Sequence, residues 1–256
     1  MVTTSSLEST ASSLENWTRV GYVARGLIYI LLGYVALSAS APDSSSELFK
    51  QVEELPAGTV LLWIIMIGAF GYGLWKIFDA VKNLEGFDDD AKGKAKRFFY
   101  IVGGVGYWIL AFLAAKTVFG SGGSGDGTEE AAAMAPDWLL LATGAGILIA
   151  GVYQIKKGVT RDFLRGLAAG TPPFVGWLGL AGHLARGIVF IVSGWAVIQA
   201  TGNADAAKGL PGALASLKDM GTVFTLLCIG LILFGIFSLI EARYRIIPNE
   251  DLRPGR

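Results

Sequence analysis

A chain of 256 residues with a single cysteine and a single histidine has little to build a redox or metal centre from. Cys228 alone excludes an intramolecular disulfide framework and a CxxC redox pair. His183 alone excludes a multi-histidine metal site or a bis-histidine haem site within one chain. Charge is sparse as well, at 16% of residues, against about 25% in ordinary soluble domains. Acids and bases cancel, so no global charge favours nucleic acid or an acidic partner. No nucleophile paired with a base, no paired carboxylates in an apolar segment, no metal cluster and no nucleotide-binding loop is evident, so neither a catalytic residue nor a cofactor is expected. What remains is 53% hydrophobic residues gathered into long runs, the composition of a membrane protein.

Taken in order, residues 1–16 are rich in Ser, Thr, Glu and Ala and lack apolar periodicity, so a disordered tail is expected. Trp17 and Arg19 have the character of interfacial anchors before a first span, Val20 to Ser38. That span also fits a secretory signal ending at Ala39-Ser40-Ala41. The near-copy of Gly21-Tyr22-Val23-Ala24-Arg25-Gly26 at Gly182-His183-Leu184-Ala185-Arg186-Gly187 argues against it, because a segment repeated in mid-chain is structural. Ser44 to Ser46 can cap a short helix with Leu48, Phe49, Val52 and Leu55 on one face. A second span runs from Thr59 to Phe78. Lys82 to Arg97 reads as a polar loop whose Asp88-Asp89-Asp90 lacks the ligand spacing of a calcium loop. The third span, Phe98 to Phe119, holds Gly103, Gly104 and Gly106, which suit helix packing better than dinucleotide binding. A Gly-Ser linker, 121–127, and a short alanine-rich helix from Thr128 precede the fourth span, Trp138 to Gln154. The fifth, Phe174 to Ala200, follows Pro172-Pro173. A short helix from Gly209 precedes the last span, Gly221 to Ile240.

Superposing Gly26, Gly106 and Gly187 brings Gly71, Gly151 and Gly235 into register, an internal repeat of about eighty residues. The fold class is therefore all-α: a polytopic membrane protein with six transmembrane helices, arranged as three tandem helical hairpins of parallel topology with a pseudo-threefold repeat. The repeats span 17–84, 95–160 and 174–246, followed by a tail, 247–256. Lysine and arginine concentrate on the side of Arg19, Lys92 to Arg97, Lys156, Lys157 and Arg161. The positive-inside rule places both termini in the cytoplasm of a bacterial inner membrane.

An arginine inside an apolar span needs a partner, a wet cavity or an escape to the interface. Asp79 is expected to meet Arg25 within the first hairpin, and Glu241 to meet Arg186 within the third. The alternative is a vestibule in which Arg25 and Arg186 bind an anionic headgroup or solute. His183, one turn before Arg186, is expected to be a packed interface residue more than a proton relay. The middle repeat has Val105 where the others have arginine, so a pure fold requirement does not account for the pattern.

The repeated Ala-Arg-Gly, the segment Gly209-Leu210-Pro211-Gly212-Ala213-Leu214 and the closing Glu241-Ala242-Arg243-Tyr244-Arg245 together resemble the bacterial membrane family known as domain of unknown function 1206. That resemblance implies a three-repeat, six-helix inner-membrane protein and transfers no catalytic residue. The function expected is a non-enzymatic accessory, scaffold or lipid-contacting role. Its partners are the bilayer, including anionic headgroups, and a second copy or another membrane protein, without nucleic acid. The alternative is a small-solute or ion transporter or channel with its path between the hairpins, and a membrane enzyme ranks third.

Overall fold

The computed structural model describes residues 4–38, 42, 44–83, 86–120, 136–199, 201 and 209–246. Its helices are α1 (Thr4–Ser38), α2 (Ser45–Glu53), α3 (Gly58–Lys82), α4 (Ala91–Val118), α5 (Asp137–Thr160), α6 (Val175–Gln199), α7 (Gly209–Ala215) and α8 (Thr222–Tyr244). Six of them, α1, α3, α4, α5, α6 and α8, are long and apolar enough to cross a membrane. The chain is a helical, multi-pass membrane protein.

Three boundaries differ from the sequence reading. The first helix begins at Thr4, so residues 4–16 are helical where a disordered tail was expected; once a packed span supplies the nucleus, each added residue gains a hydrogen bond at little cost. Lys92 to Arg97 are not loop but the opening turns of α4. Asp90 starts that helix by accepting from the Gly93 amide at 2.7 Å, so the acidic triplet contributes a cap. Glu241 lies inside α8, which runs on to Tyr244. The short helix expected after Thr128 and the linker before it fall outside the described residues.

Ser44 caps α2 by accepting from the Glu47 amide at 3.1 Å, and α2 buries Leu48, Phe49 and Val52. It packs on α3, α4 and α7. Placing that apolar face against the bundle removes more surface from water than leaving it at the membrane surface.

The tightest packing is not within the hairpins but between them. The close helix pairs are α3 with α4, α5 with α6, and α8 with α1, so each even span meets the odd span of the next repeat. Glycines make this possible. A Cβ on Gly26 would sit 2.9 Å from the Gly235 carbonyl oxygen, and one on Gly235 would sit 2.6 Å from that of Gly26. Gly151 and Gly187 stand in the same relation at 2.8 and 2.9 Å, as do Gly73 and Gly104 at 2.6 and 2.8 Å. A second contact lies two turns along: Gly144 against Gly194, each 2.7 Å from the other's oxygen, and Gly33 against the Cys228 oxygen at 2.6 Å. Without side chains between them the backbones come close enough for dispersion to hold the pairs in lipid, where no hydrophobic force does so.

α1 with α3 and α6 with α8 pack as hairpins. The helices of the middle hairpin scarcely meet among the described residues; a Cβ on Gly146 would sit 3.2 Å from the Phe99 ring. The spans therefore form a row, α4-α3-α1-α8-α6-α5, with the core at α1 and α8 and with α4 and α5 the most exposed.

Candidate functional site

Of the polar residues singled out in the sequence, Arg25, Arg186, His183 and Glu241 gather where α1, α6 and α8 meet. Arg25 is only 9% exposed and lies six residues after Arg19, about 9 Å along α1. Its Nε donates to the Ser238 hydroxyl at 3.1 Å, Nη1 to the Tyr72 hydroxyl at 3.5 Å, and Nη2 forms an ion pair with Glu241. The Tyr22 ring lies 4.6 Å from the guanidinium carbon. Glu241, 3% exposed, also takes Arg245 Nη1 at 3.4 Å. In a segment without water this multiple pairing is what a buried guanidinium requires.

The expected pairs are thus exchanged. Glu241 reaches Arg25 and not Arg186, and the carboxylate at Arg25 comes from α8 instead of from Asp79 on α3. The Gly26–Gly235 approach brings α8 closest to α1 at this depth, whereas Asp79 stays buried at 2% exposure elsewhere on its helix.

Arg186 is built differently. It is half-buried, eleven residues after Val175, about 16 Å along α6. Nε donates to the Tyr29 hydroxyl at 2.7 Å. Its guanidinium carbon lies 4.5, 4.8 and 5.2 Å from the rings of Phe190, Phe234 and Tyr29, contacts that favour a cation over the ring faces. Among the described residues it makes no ion pair, and its terminal nitrogens donate no hydrogen bond. Tyr107 on α4 packs edge-on against the ring of Tyr72, the hydroxyl partner of Arg25, with ring centroids 4.7 Å apart.

His183, 3% exposed, is packed against Phe163, Phe234 and Phe237 at ring distances of 5.0 to 5.4 Å. Both its nitrogens are buried without a hydrogen-bond partner, so ring contacts take the place of polar ones. Phe163 belongs to a 3-10 turn, Asp162–Gly166, that is clamped to the end of α8 by Ala168 N–H to Tyr244 O at 2.8 Å and Ile246 N–H to Gly166 O at 2.9 Å.

Two residues that sequence reasoning did not treat as site members belong here. Lys157, half-buried on α5, shares the field of Glu241, Arg245, Arg25 and Arg186, and makes no hydrogen bond or ion pair among the described residues. Arg19 caps the end of α8 by donating to the carbonyls of Ala242 and Arg243. The signal for Lys157 was present in the repeat: it stands six residues after Gly151, as Glu241 stands six after Gly235. Among the described residues no group of three or more His, Cys, Asp or Glu could hold a metal.

A six-span helical membrane protein made of repeated two-helix units around a charged interior is the class that this fold and site define. The chain belongs to the family described as Domain of Unknown Function (DUF1206), whose model matches residues 20–83, 98–161 and 181–245. It is also similar to the Uncharacterized protein YxxB of Bacillus subtilis (strain 168), with 30% identity over 258 residues, covering 93% of this chain and 94% of that protein. No solved structure matches it.

Proposed function

We propose that this chain is a non-enzymatic component of a bacterial plasma membrane, with both termini cytoplasmic, acting as an accessory or scaffold that contacts lipid. The observation that carries the reading is the closure of its charged interior. Arg25 is held by Glu241, Ser238 and Tyr72 together, while aromatic rings surround Arg186 and His183. A transport path needs polar groups that bind a solute weakly and in succession, and these groups are committed to one another or to rings. Two surface hollows, of about 370 and 300 Å³, are lined by residues of α5 and of the segment from Leu164 to Gly176, with neither arginine among them. The outer faces of α4 and α5 present Phe98, Phe112, Ile149 and Val152, suited to acyl chains or to a partner helix.

Reconstitution into vesicles tests this reading. Efflux of potassium, sodium and phosphate from proteoliposomes is expected to equal that of protein-free vesicles. Efflux that depends on the protein and disappears in Arg186→Gln would establish a transporter instead.

A further inference from the structure

The glycine seams allow equivalent positions to be compared where the even spans end. Ten residues after the seam glycines Gly73, Gly151 and Gly235 stand Asn83, Arg161 and Arg245, each at the C-terminus of its helix. Asn83 is tied to the backbone of Phe87: its Nδ2 donates to the carbonyl at 2.8 Å, and its Oδ1 accepts from the amide at 2.9 Å. Arg245 Nη1 donates to Glu241 at 3.4 Å. The Arg161 side chain makes neither a hydrogen bond nor an ion pair among the described residues. Its guanidinium carbon lies instead 4.7 Å from the centre of the Trp177 ring.

Arg161 also holds a left-handed backbone, with φ 55° and ψ 25°. Glycine or asparagine suits that conformation at a helix end, as Asn83 does with φ 54°, whereas other L-residues adopt it at a cost. An arginine kept there against local preference points to a use for its side chain. Stacked on the indole, the guanidinium keeps its charge and its in-plane donors. Arg165 beside it is paired with Asp162 at 3.4 Å, so the three residues together carry one uncompensated positive charge. Trp177 and Phe174 are 65% and 56% exposed, at the end of a span where aromatic rings meet the headgroup level. The hollow of about 300 Å³ lined by Leu164, Leu167 and the turn from Ala168 to Pro173 reaches Gly176. A Cβ on Gly176 would sit 3.9 Å from Arg161 Nη1, which places the guanidinium at the edge of that hollow.

We infer that Arg161, stacked on Trp177, is a headgroup site for an anionic phospholipid. The phosphate meets the guanidinium edge, the rest of the headgroup lies toward the hollow, and the acyl chains run along Trp177 and Phe174. A soluble anion would gain nothing from the exposed rings, and a zwitterionic lipid brings no net charge to the unpaired cation. The inference rests on the lipid-contacting reading and supplies the lipid class and the residue.

The test uses the purified full chain in detergent micelles, with native mass spectrometry reading the binding of phosphatidylglycerol and of phosphatidylcholine with the same acyl chains. Wild type is expected to bind phosphatidylglycerol about tenfold or more tighter, and Arg161→Gly to lose most of that preference. Glycine suits the left-handed backbone, so the unfolding midpoint of Arg161→Gly is expected close to or above that of wild type. Should that chain fail to fold, Arg161→Asn, which places there the residue type of Asn83, is measured instead with the same expectation. Lys50→Gln, at an exposed lysine on the opposite side, is the control and is expected to keep the preference. No preference in wild type, an unchanged preference in the Arg161 variant, or an equal loss in Lys50→Gln overturns the inference and leaves the scaffold reading in place. Protein-dependent efflux in the vesicle experiment would instead overturn the non-transport reading and leave this binding result standing.

Discussion

The two arginines occupy equivalent places in their repeats and have different surroundings, so the same substitution should have different consequences. Arg25 and Glu241 are both buried and mutually neutralising. Removing one partner of such a pair leaves an unpaired charge, which costs about 3–5 kcal/mol in proteins, whereas replacing both by apolar residues of similar volume is often neutral. Glu241→Gln is therefore expected to lower the thermal unfolding midpoint of the purified protein sharply, and Arg25→Met with Glu241→Leu to recover most of that loss. If the double replacement unfolds as readily as the single one, the pair acts through its other bonds to Ser238 and Tyr72. Apolar periodicity made the presence of a partner for Arg25 legible in the sequence, along with the carboxylate candidates. Which carboxylate was not legible, because hairpin adjacency favoured Asp79 while the choice depends on how closely α8 approaches α1.

At the level of helices, close approach is concentrated at a few glycines and can be separated from helix propensity. Gly26, Gly106 and Gly187 align in sequence, yet a Cβ on Gly106 would meet nothing within 4 Å, whereas one on Gly187 would meet the Gly151 oxygen at 2.9 Å. The α3–α4 contact falls instead at Gly73 and Gly104, displaced along the same register. Gly187→Leu is expected to destabilise by about 1–3 kcal/mol or more through overpacking. Gly106→Ala is expected to leave the unfolding midpoint unchanged or slightly higher, since alanine is the better helix former. Circular dichroism melts of both variants in the same detergent check the contrast; equal losses would mean that glycine serves chain flexibility and not the seam. The six apolar helices could be placed from hydropathy because lipid requires each span to satisfy its own backbone. Their ends were less legible: α4 begins seven residues before Phe98, with Lys92 to Arg97 helical, because a cap at Asp90 and not an apolar residue decides where it starts.

For the whole molecule, the distribution of lysine and arginine is the basis for cytoplasmic termini, and labelling from outside the cell can test it. Cys228 is fully buried, so a Cys228→Ala background removes the native thiol. In it, Lys92→Cys, at an exposed position, is expected to resist a membrane-impermeant maleimide in intact cells, and Lys218→Cys, exposed at the opposite end, to react. The reverse pattern would invert the topology. The sequence by itself determined that the chain is helical and apolar enough for six crossings, that it repeats three times, and that an arginine recurs in two repeats, because these follow from composition, periodicity and spacing along one dimension. Only the tertiary structure decided that the seams run between repeats, that the middle hairpin stands open, and that Glu241 neutralises Arg25 while aromatic rings surround Arg186. Those outcomes depend on which backbones can approach across the bundle, and contacts between residues some two hundred positions apart are fixed by packing in three dimensions.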